Sequence, residues 1–199
     1  SVDEQVWNYR KLAYLLLNKP ANYECSHKPR HHPSIYTLLP PPLLTRGVQA
    51  VGRLDEDTTG LLLFSDDGQF IHTYTSPKKK VTKVYDVTLK HPGDQLLVAA
   101  LLAGVQLNDE PAPIAATACE ILAERLLRLT TTEGKYHLVK RMIAAAGNRA
   151  EGLNRVAIGG LSLPPELPLG QWIWLEEADL QKLANRITCQ PANAIDWAK

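Results

Sequence analysis

Residues 51–68 place a charged, glycine-bounded loop directly before an apolar run, and this stretch constrains the fold more than any other part of the chain. Gly52 and Gly60 bracket the loop and permit backbone angles that a side chain disfavours. The apolar run at 61–64 is short, which predicts a buried strand. The polar residues at 66–68 supply a turn and a helix cap. The pattern therefore predicts a loop held rigidly by a strand, a turn and a helix.

The loop carries three acidic residues, Asp55, Glu56 and Asp57. In an extended segment, Arg53 and Asp55 share one side, while Leu54 points the other way into the protein. We therefore expect Arg53 to be a cationic neighbour of Asp55. The alternative is an ordinary surface turn whose acidic side chains are solvated.

Length and composition describe a soluble globular protein. With 199 residues the chain can bury a sizeable core, as one large domain or as two lobes around a cleft. Hydrophobic content is 45%, charged content is 22%, and no apolar run approaches the length of a membrane span. Cys25, Cys119 and Cys189 are widely spaced, which argues against a disulfide framework or a zinc cage. With no signal peptide in view, these features predict a cytoplasmic protein without a membrane partner.

The first part of the chain alternates short elements with proline-rich connections. Residues 13–17 predict a first buried strand, which the Asn-Lys-Pro at 18–20 ends. A segment with three histidines and two cations at 27–33 suits contact with solvent or phosphate better than metal binding. Ser34 can cap a short helix through residue 39. The three prolines at 40–42 predict an extended connector.

Two further features follow the central unit. Ser76-Pro77 breaks the predicted helix and exposes Lys78, Lys79 and Lys80, which suit phosphate contact unless they are simply a solvated charge run. The alternating residues 82–89 predict a strand. Lys83 and Tyr85 then lie on one face of it, although a half-buried structural tyrosine is the plain alternative.

The second half predicts further helices and strands in alternation. Asp94 can cap a helix through residue 103, and a short strand is expected at 105–107. The runs 114–122 and 125–132 predict a hairpin. A last strand is expected at 169–175, followed by a polar helix from residue 176.

Residues 136–147 predict an alanine-rich helix that ends at a glycine. His137, Lys140 and Arg141 share one face, and Val139 lies with the apolar residues opposite. A basic stripe of this kind is usually only solvated.

Three of these segments, taken together, resemble the RsuA-type branch of the RNA pseudouridine synthases. Gly-Arg-Leu-Asp and Asp-Thr-Thr-Gly-Leu-Leu-Leu within 52–63 resemble the catalytic motif, Lys-x-Tyr at 83–85 resembles the second motif, and Glu-Gly-Lys-Tyr-His-x-Val-Lys-Arg-Met at 133–142 resembles the third. Asn22 stands where a glycine is usual, and Leu138 stands where a glutamine is typical. The resemblance covers residues 14–179.

The resemblance implies an α+β fold, with a mixed, mainly antiparallel sheet, flanking helices and a catalytic cleft between two lobes. It implies that Asp55 is the catalytic nucleophile, that Lys140 keeps it ionised, and that Tyr85 and Val139 hold the target base. Arg53 would contact phosphate or fill the space that the base leaves. The remaining expected RNA contacts are Lys78, Lys79, Lys80, Lys83, His137, Arg141 and Arg155.

The same resemblance implies an isomerase that needs neither metal nor cofactor. The expected substrate is a uridine of small-subunit (16S) ribosomal RNA, free or in a ribosomal assembly intermediate, and the expected state is a monomer. We divide the chain into a lead-in at 1–12, a catalytic domain at 13–180 and a tail at 181–199. Nothing in it matches the small N-terminal RNA-binding domain that many relatives carry.

Three alternatives remain open. The substrate could be large-subunit (23S) ribosomal RNA. The chain could be a non-catalytic RNA-binding module, which would bind RNA without forming pseudouridine. It could also be a hydrolase that uses Asp55, Asp57 and Asp66 as paired carboxylates or metal ligands.

Overall fold

The computed structural model describes residues 10–185. The strands of the described region are β1 (Tyr14–Lys19), β2 (Gln49–Val51), β3 (Thr59–Ser65), β4 (Lys83–Leu89), β5 (Ala118–Ala123), β6 (Leu126–Thr131), β7 (Ala150–Ile158), β8 (Leu161–Ser162) and β9 (Trp172–Trp174). Its α-helices are α1 (Pro41–Thr45), α2 (Gly68–Thr75), α3 (Gln95–Ala103), α4 (Leu138–Ala145) and α5 (Glu177–Ala184). Short 3₁₀ helices cover Ile35–Leu38 and Pro77–Lys79.

The strands form one mixed sheet in the order β5-β6-β4-β7-β3-β1-β9, with β2 paired to β3 and β8 paired to β7. Neighbouring strands are antiparallel, except that β3 and β7 are parallel. These two strands are joined at only two residue pairs, Thr59 with Asn154 and Gly60 with Arg155. The expected α+β fold with a mainly antiparallel sheet and flanking helices is confirmed.

Gly60 is required at this junction. Its φ of 106° lies in the region that glycine favours, and a Cβ atom there would lie 2.3 Å from the carbonyl oxygen of Arg155. No side chain fits in that space. The glycine that ends the charged loop therefore also brings the two halves of the sheet together.

Apolar residues cover both faces of the central strands. In β3, Leu62 and Phe64 pack into the larger core with helices α1, α3 and α4, whereas Leu61 and Leu63 pack into a second core. This alternation follows from the two-residue period of a strand. Because both faces are covered, the strand reads as one continuous apolar run.

Several predicted elements are present with shifted bounds. The first strand continues through Lys19, Ser34 caps the 3₁₀ helix, and Asp94 caps α3. The expected hairpin is present as β5 and β6, and the expected last strand shortens to β9. Helix α5 continues past residue 180 to Ala184, where its Leu183 is buried in the second core.

Two predicted elements are wrong. The prolines at 40–42 do not form an extended connector, because Pro41 begins helix α1, where a missing N–H costs nothing. Residues 105–107 do not form a strand; Val105 makes only an isolated bridge to Ile114. No helix of residues 10–185 is long and apolar enough to cross a membrane. The predicted tail beyond residue 185 lies outside the described residues.

Candidate active site

A cavity of about 430 Å³ lies at the junction of the two halves of the sheet. The loop before β3 and the strands β4 and β7 contribute to its walls. Among the residues that line it are Arg53, Asp55, Lys83, Tyr85, His137, Leu138, Val139 and Arg155. The three segments that carry the family resemblance therefore meet at one place, as expected.

Lys19 holds the backbone of the Asp55 loop. Its side chain is 0% exposed, and its ammonium donates to the carbonyl oxygens of Pro20 at 3.0 Å, Glu56 at 3.0 Å and Thr58 at 2.8 Å. Burial lowers the pKa of Lys19, which the nearby acidic groups partly oppose. A turn is completed by the Thr58 N–H, which donates to the Asp55 carbonyl oxygen at 3.1 Å. The loop is thereby fixed from β1.

Asp55 lies between two basic side chains from the segment that opens α4. Its Oδ1 is 3.3 Å from His137 Nε2, and its Oδ2 is 3.5 Å from Lys140 Nζ. Both oxygens of the carboxylate therefore face a basic group within ion-pair distance. Arg53 is exposed and, within residues 10–185, makes no ion pair with Asp55, so the expected neighbour is replaced by these two.

Lys140 is shared with a second acid. Its ammonium donates to Asp57 at 2.7 and 2.9 Å, which is closer than its contact with Asp55. Burial raises the pKa of the Asp57 carboxyl, but the hydrogen bonds and charge of Lys140 outweigh this and hold the pKa below its ordinary value. The Asp57 side chain is 63% exposed, so it lies on the outer side of the lysine.

His137 does not belong to the predicted helical stripe. The helix begins at Leu138, and His137 precedes it with a left-handed φ of 48°. Its ring stacks on that of Tyr136, with centroids 3.7 Å apart. This unusual backbone conformation directs the imidazole to Asp55. The sequence pattern assigned His137 to RNA contact and gave no signal of its contact with Asp55.

An aromatic and an apolar side chain form the wall beside Asp55. Tyr85 and Val139 are both buried in the larger core and line the cavity. Leu138, which stands in place of the family glutamine, is also buried there. A flat base could therefore enter against an aromatic face and an apolar wall.

Lys83 and Arg155 are interior residues of the cavity wall. Arg155 is only 3% exposed, and its Nε donates to the Leu61 carbonyl oxygen at 2.8 Å. Lys83 is partly buried and donates to the Val81 carbonyl oxygen at 3.1 Å. Both line the cavity and not an outer surface, and their expected contact with RNA stays a prediction.

The predicted cationic surfaces differ in how far their charges are neutralised. Lys78, Lys79 and Lys80 are exposed beside Ser76 and Pro77, which line the cavity. Arg141, in contrast, pairs with Asp109 and lies 4.0 Å from Glu110. Within residues 10–185, the exposed cations near the cavity that make no ion pair therefore include Lys78–Lys80 and Arg53.

The histidine-rich loop is organised around one acid. The Glu24 carboxylate accepts the backbone N–H groups of Arg30, His31 and His32, and these hydrogen bonds lower its pKa to about 2. His32 also lies 3.6 Å from Glu56. The loop is thus held beside the Asp55 loop.

One of the three carboxylates proposed for a hydrolase, Asp66, lies apart from Asp55 and Asp57. Asp66 follows the far end of β3, where it pairs with Arg46 at 2.7 Å and accepts the Ala13 N–H at 2.7 Å. It holds the chain in place and does not line the cavity. Within residues 10–185 no group of three or more His, Cys, Asp or Glu side chains suits a metal ion. A reaction without metal or cofactor stays a prediction.

Comparison with known proteins identifies the family. The family model described as RNA pseudouridylate synthase matches residues 13–145. The ribosomal small subunit pseudouridine synthase A of Haemophilus influenzae is 42% identical over 170 residues, which cover 85% of this chain and 73% of that protein. The protein of the same name from Escherichia coli (strain K12) is 41% identical over 167 residues, covering 84% and 72%.

Solved structures agree with this assignment. A crystal structure of a pseudouridylate synthase superposes with a TM-score of 0.82 at 41% identity, covering 88% of this chain and 75% of that one. An archaeal box H/ACA sRNP Nop10–Cbf5 complex shares the fold alone, with a TM-score of 0.53 at 18% identity, covering 79% and 51%. By the family match and these identities, the chain belongs to the RNA pseudouridylate synthase family.

Proposed function

We propose that this protein converts a uridine of small-subunit ribosomal RNA into pseudouridine. The observation that carries the proposal is the position of Asp55, which lines a cavity with Tyr85 and Val139 and faces two basic side chains. The names of the relatives with 41% and 42% identity support the small subunit as the source of the RNA.

Asp55 acts as the nucleophile in this proposal. Pseudouridine formation breaks the bond between the ribose and a ring nitrogen, turns the uracil and rejoins it through a ring carbon. A covalent intermediate with a carboxylate divides this rearrangement into easier steps. Lys140 and His137 lie 3.5 and 3.3 Å from the oxygens of Asp55 and hold the carboxylate in place for its attack on the sugar.

The target base reaches Asp55 only after it has left the RNA stack. Tyr85 offers a face for the extruded ring, and Val139 closes the other side. Both side chains are buried, so little water has access to the detached uracil. Arg53 lies at the exposed edge of the cavity, where it contacts phosphate or occupies the place of the base.

The RNA is bound outside the cavity mainly by Lys78, Lys79 and Lys80. These side chains are exposed and adjoin the cavity mouth. We propose a monomer that acts in the cytoplasm on ribosomal RNA or on an assembly intermediate. The division into a lead-in, a catalytic domain and a tail belongs to the same proposal.

Mapping of pseudouridines in ribosomal RNA tests the function. RNA from cells that lack the protein should lose one small-subunit site, and wild-type protein should restore it where Asp55→Asn does not. If the missing pseudouridine lies in the large subunit, the substrate is 23S ribosomal RNA and not 16S ribosomal RNA. If the protein binds RNA but no pseudouridine is lost in its absence, the protein is a non-catalytic RNA-binding module.

A further inference from the structure

Two cations inside the cavity have no part in the mechanism described so far. Lys83 and Tyr85 are two residues apart on β4 and therefore share a face. Arg155 of β7 is the cross-strand partner of Tyr85. Both basic residues line the cavity that contains Asp55. They therefore adjoin the tyrosine that we assign to the base.

Arg155 has an unused donor. Arg155 is 3% exposed. Within residues 10–185 its side chain is anchored by the Nε–Leu61 bond alone, and the buried Nη2 has no hydrogen-bond partner there. A buried donor without an acceptor destabilises the fold, because the group has lost its hydrogen bonds to water. A ligand that supplies the missing acceptor would explain why such a group is kept at this position.

Lys83 adds a second charge at the same place. Burial and the charge of Arg155 lower its pKa to about 8, and Glu133 opposes this only in part. Neither Lys83 nor Arg155 makes an ion pair with an acid in the described part of the chain. Two neighbouring cations, one buried and one partly buried, repel each other when no anion lies beside them. This wall therefore favours a ligand that brings negative charge.

We propose that Arg155 and Lys83 bind the carbonyl oxygens of the uracil ring and stabilise the negative charge that the ring carries while it is detached from ribose. This inference rests on the proposed function. When the C1′–N1 bond breaks, its electron pair stays on the ring and is shared with O2 and O4, while an Asp55 oxygen bonds to the sugar. Donors placed where charge develops lower the barrier most. Arg155 supplies the directed donor and Lys83 the compact charge.

A backbone phosphate would present the same oxygen chemistry. The 3% exposure of Arg155 favours the base, because a phosphate linked on both sides to RNA does not enter so far. The two ligands respond differently to a change in the acidity of the ring. That difference provides the test.

The experiment compares single-turnover consumption of the target nucleoside in RNA that carries uridine or 5-fluorouridine at that position. Fluorine makes the ring a weaker base and so stabilises its anion without help from the protein. On uridine, Arg155→Gln and Lys83→Gln should each be about 100-fold slower than wild type at saturating RNA. On 5-fluorouridine the defect should shrink at least about tenfold.

Matched controls are Arg149→Gln, just before β7, and Lys90→Gln, just after β4, because both side chains are exposed. They should react like wild type. Melting curves establish that each variant is folded. If Arg155→Gln does not fold, the comparison of Lys83→Gln with wild type still tests the inference. Wild-type rates in the folded variants, or equal defects on both nucleosides, would overturn the inference. Wild-type protein that consumes no uridine in any ribosomal RNA would instead remove the proposed function, and the inference with it.

Discussion

Asp55 and Asp57 compete for the same lysine, and only one of them lines the cavity. Lys140 lies 3.5 Å from Asp55 but donates to Asp57 at 2.7 Å. Asp57 therefore weakens the electrostatic interaction between Lys140 and Asp55. His137 faces Asp55 from the other side and, within the described residues, makes no ion pair with Asp57. Substituting each acid alone can therefore distinguish the role of Asp55 from that of Asp57.

Asp55→Asn should abolish pseudouridine formation, with a loss of at least about 1000-fold, because the amide keeps the shape but not the nucleophilicity. RNA affinity should persist or increase, since a negative charge leaves a cavity that receives RNA. Asp57→Asn, the matched control, should reduce pseudouridine formation by less than about tenfold. Product yield, melting temperature and RNA affinity are compared for the two variants. Equal inactivity of a folded Asp57→Asn protein would return the paired-carboxylate hydrolase to consideration.

Lys83→Met should stabilise the protein at neutral pH. The pKa of Lys83 falls from its ordinary value of 10.5 to about 8 on folding, so the unfolded chain holds the proton more tightly. The free energy of unfolding should therefore rise as pH rises from about 8 to 10.5. Below pH 8 the penalty is present in full. Partial solvent exposure reduces it to about 1–2 kcal/mol.

The difference between the wild-type and Lys83→Met unfolding curves isolates this group, because all other titrating residues are common to both. The charged groups that line the same cavity are Arg53, Asp55, Glu133, Lys135, His137 and Arg155. Chemical denaturation at pH 7, 8.5 and 10 should show a difference that shrinks with pH. A constant difference would mean that the lysine is not held at a lowered pKa.

Much of the site was predictable at the residue scale because motif spacing places Asp55, Tyr85 and Lys140 by analogy with the family. The contacts around them were not predictable. Arg53 adjoins Asp55 in sequence yet does not pair with it, and Lys19 contacts the loop across 37 and 39 positions. Such distant pairings depend on strand register, which local patterns do not encode.

At the scale of elements, β1 acts on the Asp55 loop through one side chain. Lys19→Met should destabilise the protein by roughly 2–4 kcal/mol, because the loss of the ammonium leaves buried carbonyl oxygens without donors. Activity should fall about 10- to 100-fold, since the loop loses its fixed geometry. Lys11→Met, just before β1 and exposed, is the matched control. Unfolding free energy and turnover in the folded temperature range are measured for both.

A Lys19→Met protein that keeps wild-type turnover would show that the other loop contacts position Asp55 sufficiently. These contacts include the Thr58 N–H to Asp55 bond of 3.1 Å. A loss of activity without a loss of stability would instead locate the lysine's effect in the loop alone.

Helix boundaries show where element prediction failed. Periodicity alone placed Tyr136 and His137 in the same helix as Lys140. The structure starts α4 at Leu138, because His137 adopts a left-handed conformation that cannot continue a helix. The prolines at 40–42 were misjudged for the opposite reason, since proline suits the first turn of α1. Apolar strands and capped helices were predictable; backbone exceptions were not.

For the molecule as a whole, RNA affinity should depend steeply on salt despite the net charge of +1. Simultaneous replacement of Lys78, Lys79 and Lys80 by Gln should reduce the slope of log affinity against log salt by roughly 2. Arg141→Gln should change it much less, because Arg141 is already paired with acids. Binding is measured at several salt concentrations, with the exposed Lys182→Gln as control. An unchanged slope in the triple variant would place the RNA elsewhere.

The junction between β3 and β7 makes the candidate active site depend on both halves of the sheet. Lys19, Asp55 and their loop belong to one half of the sheet, whereas Tyr85 and Arg155 belong to the other. Where these groups meet, β3 and β7 pair at two residue positions only. At one of them, Gly60, the backbones are too close to admit a Cβ atom. On the proposed mechanism, a nascent or damaged chain whose halves have separated should therefore have no activity, and turnover would report that both halves have docked.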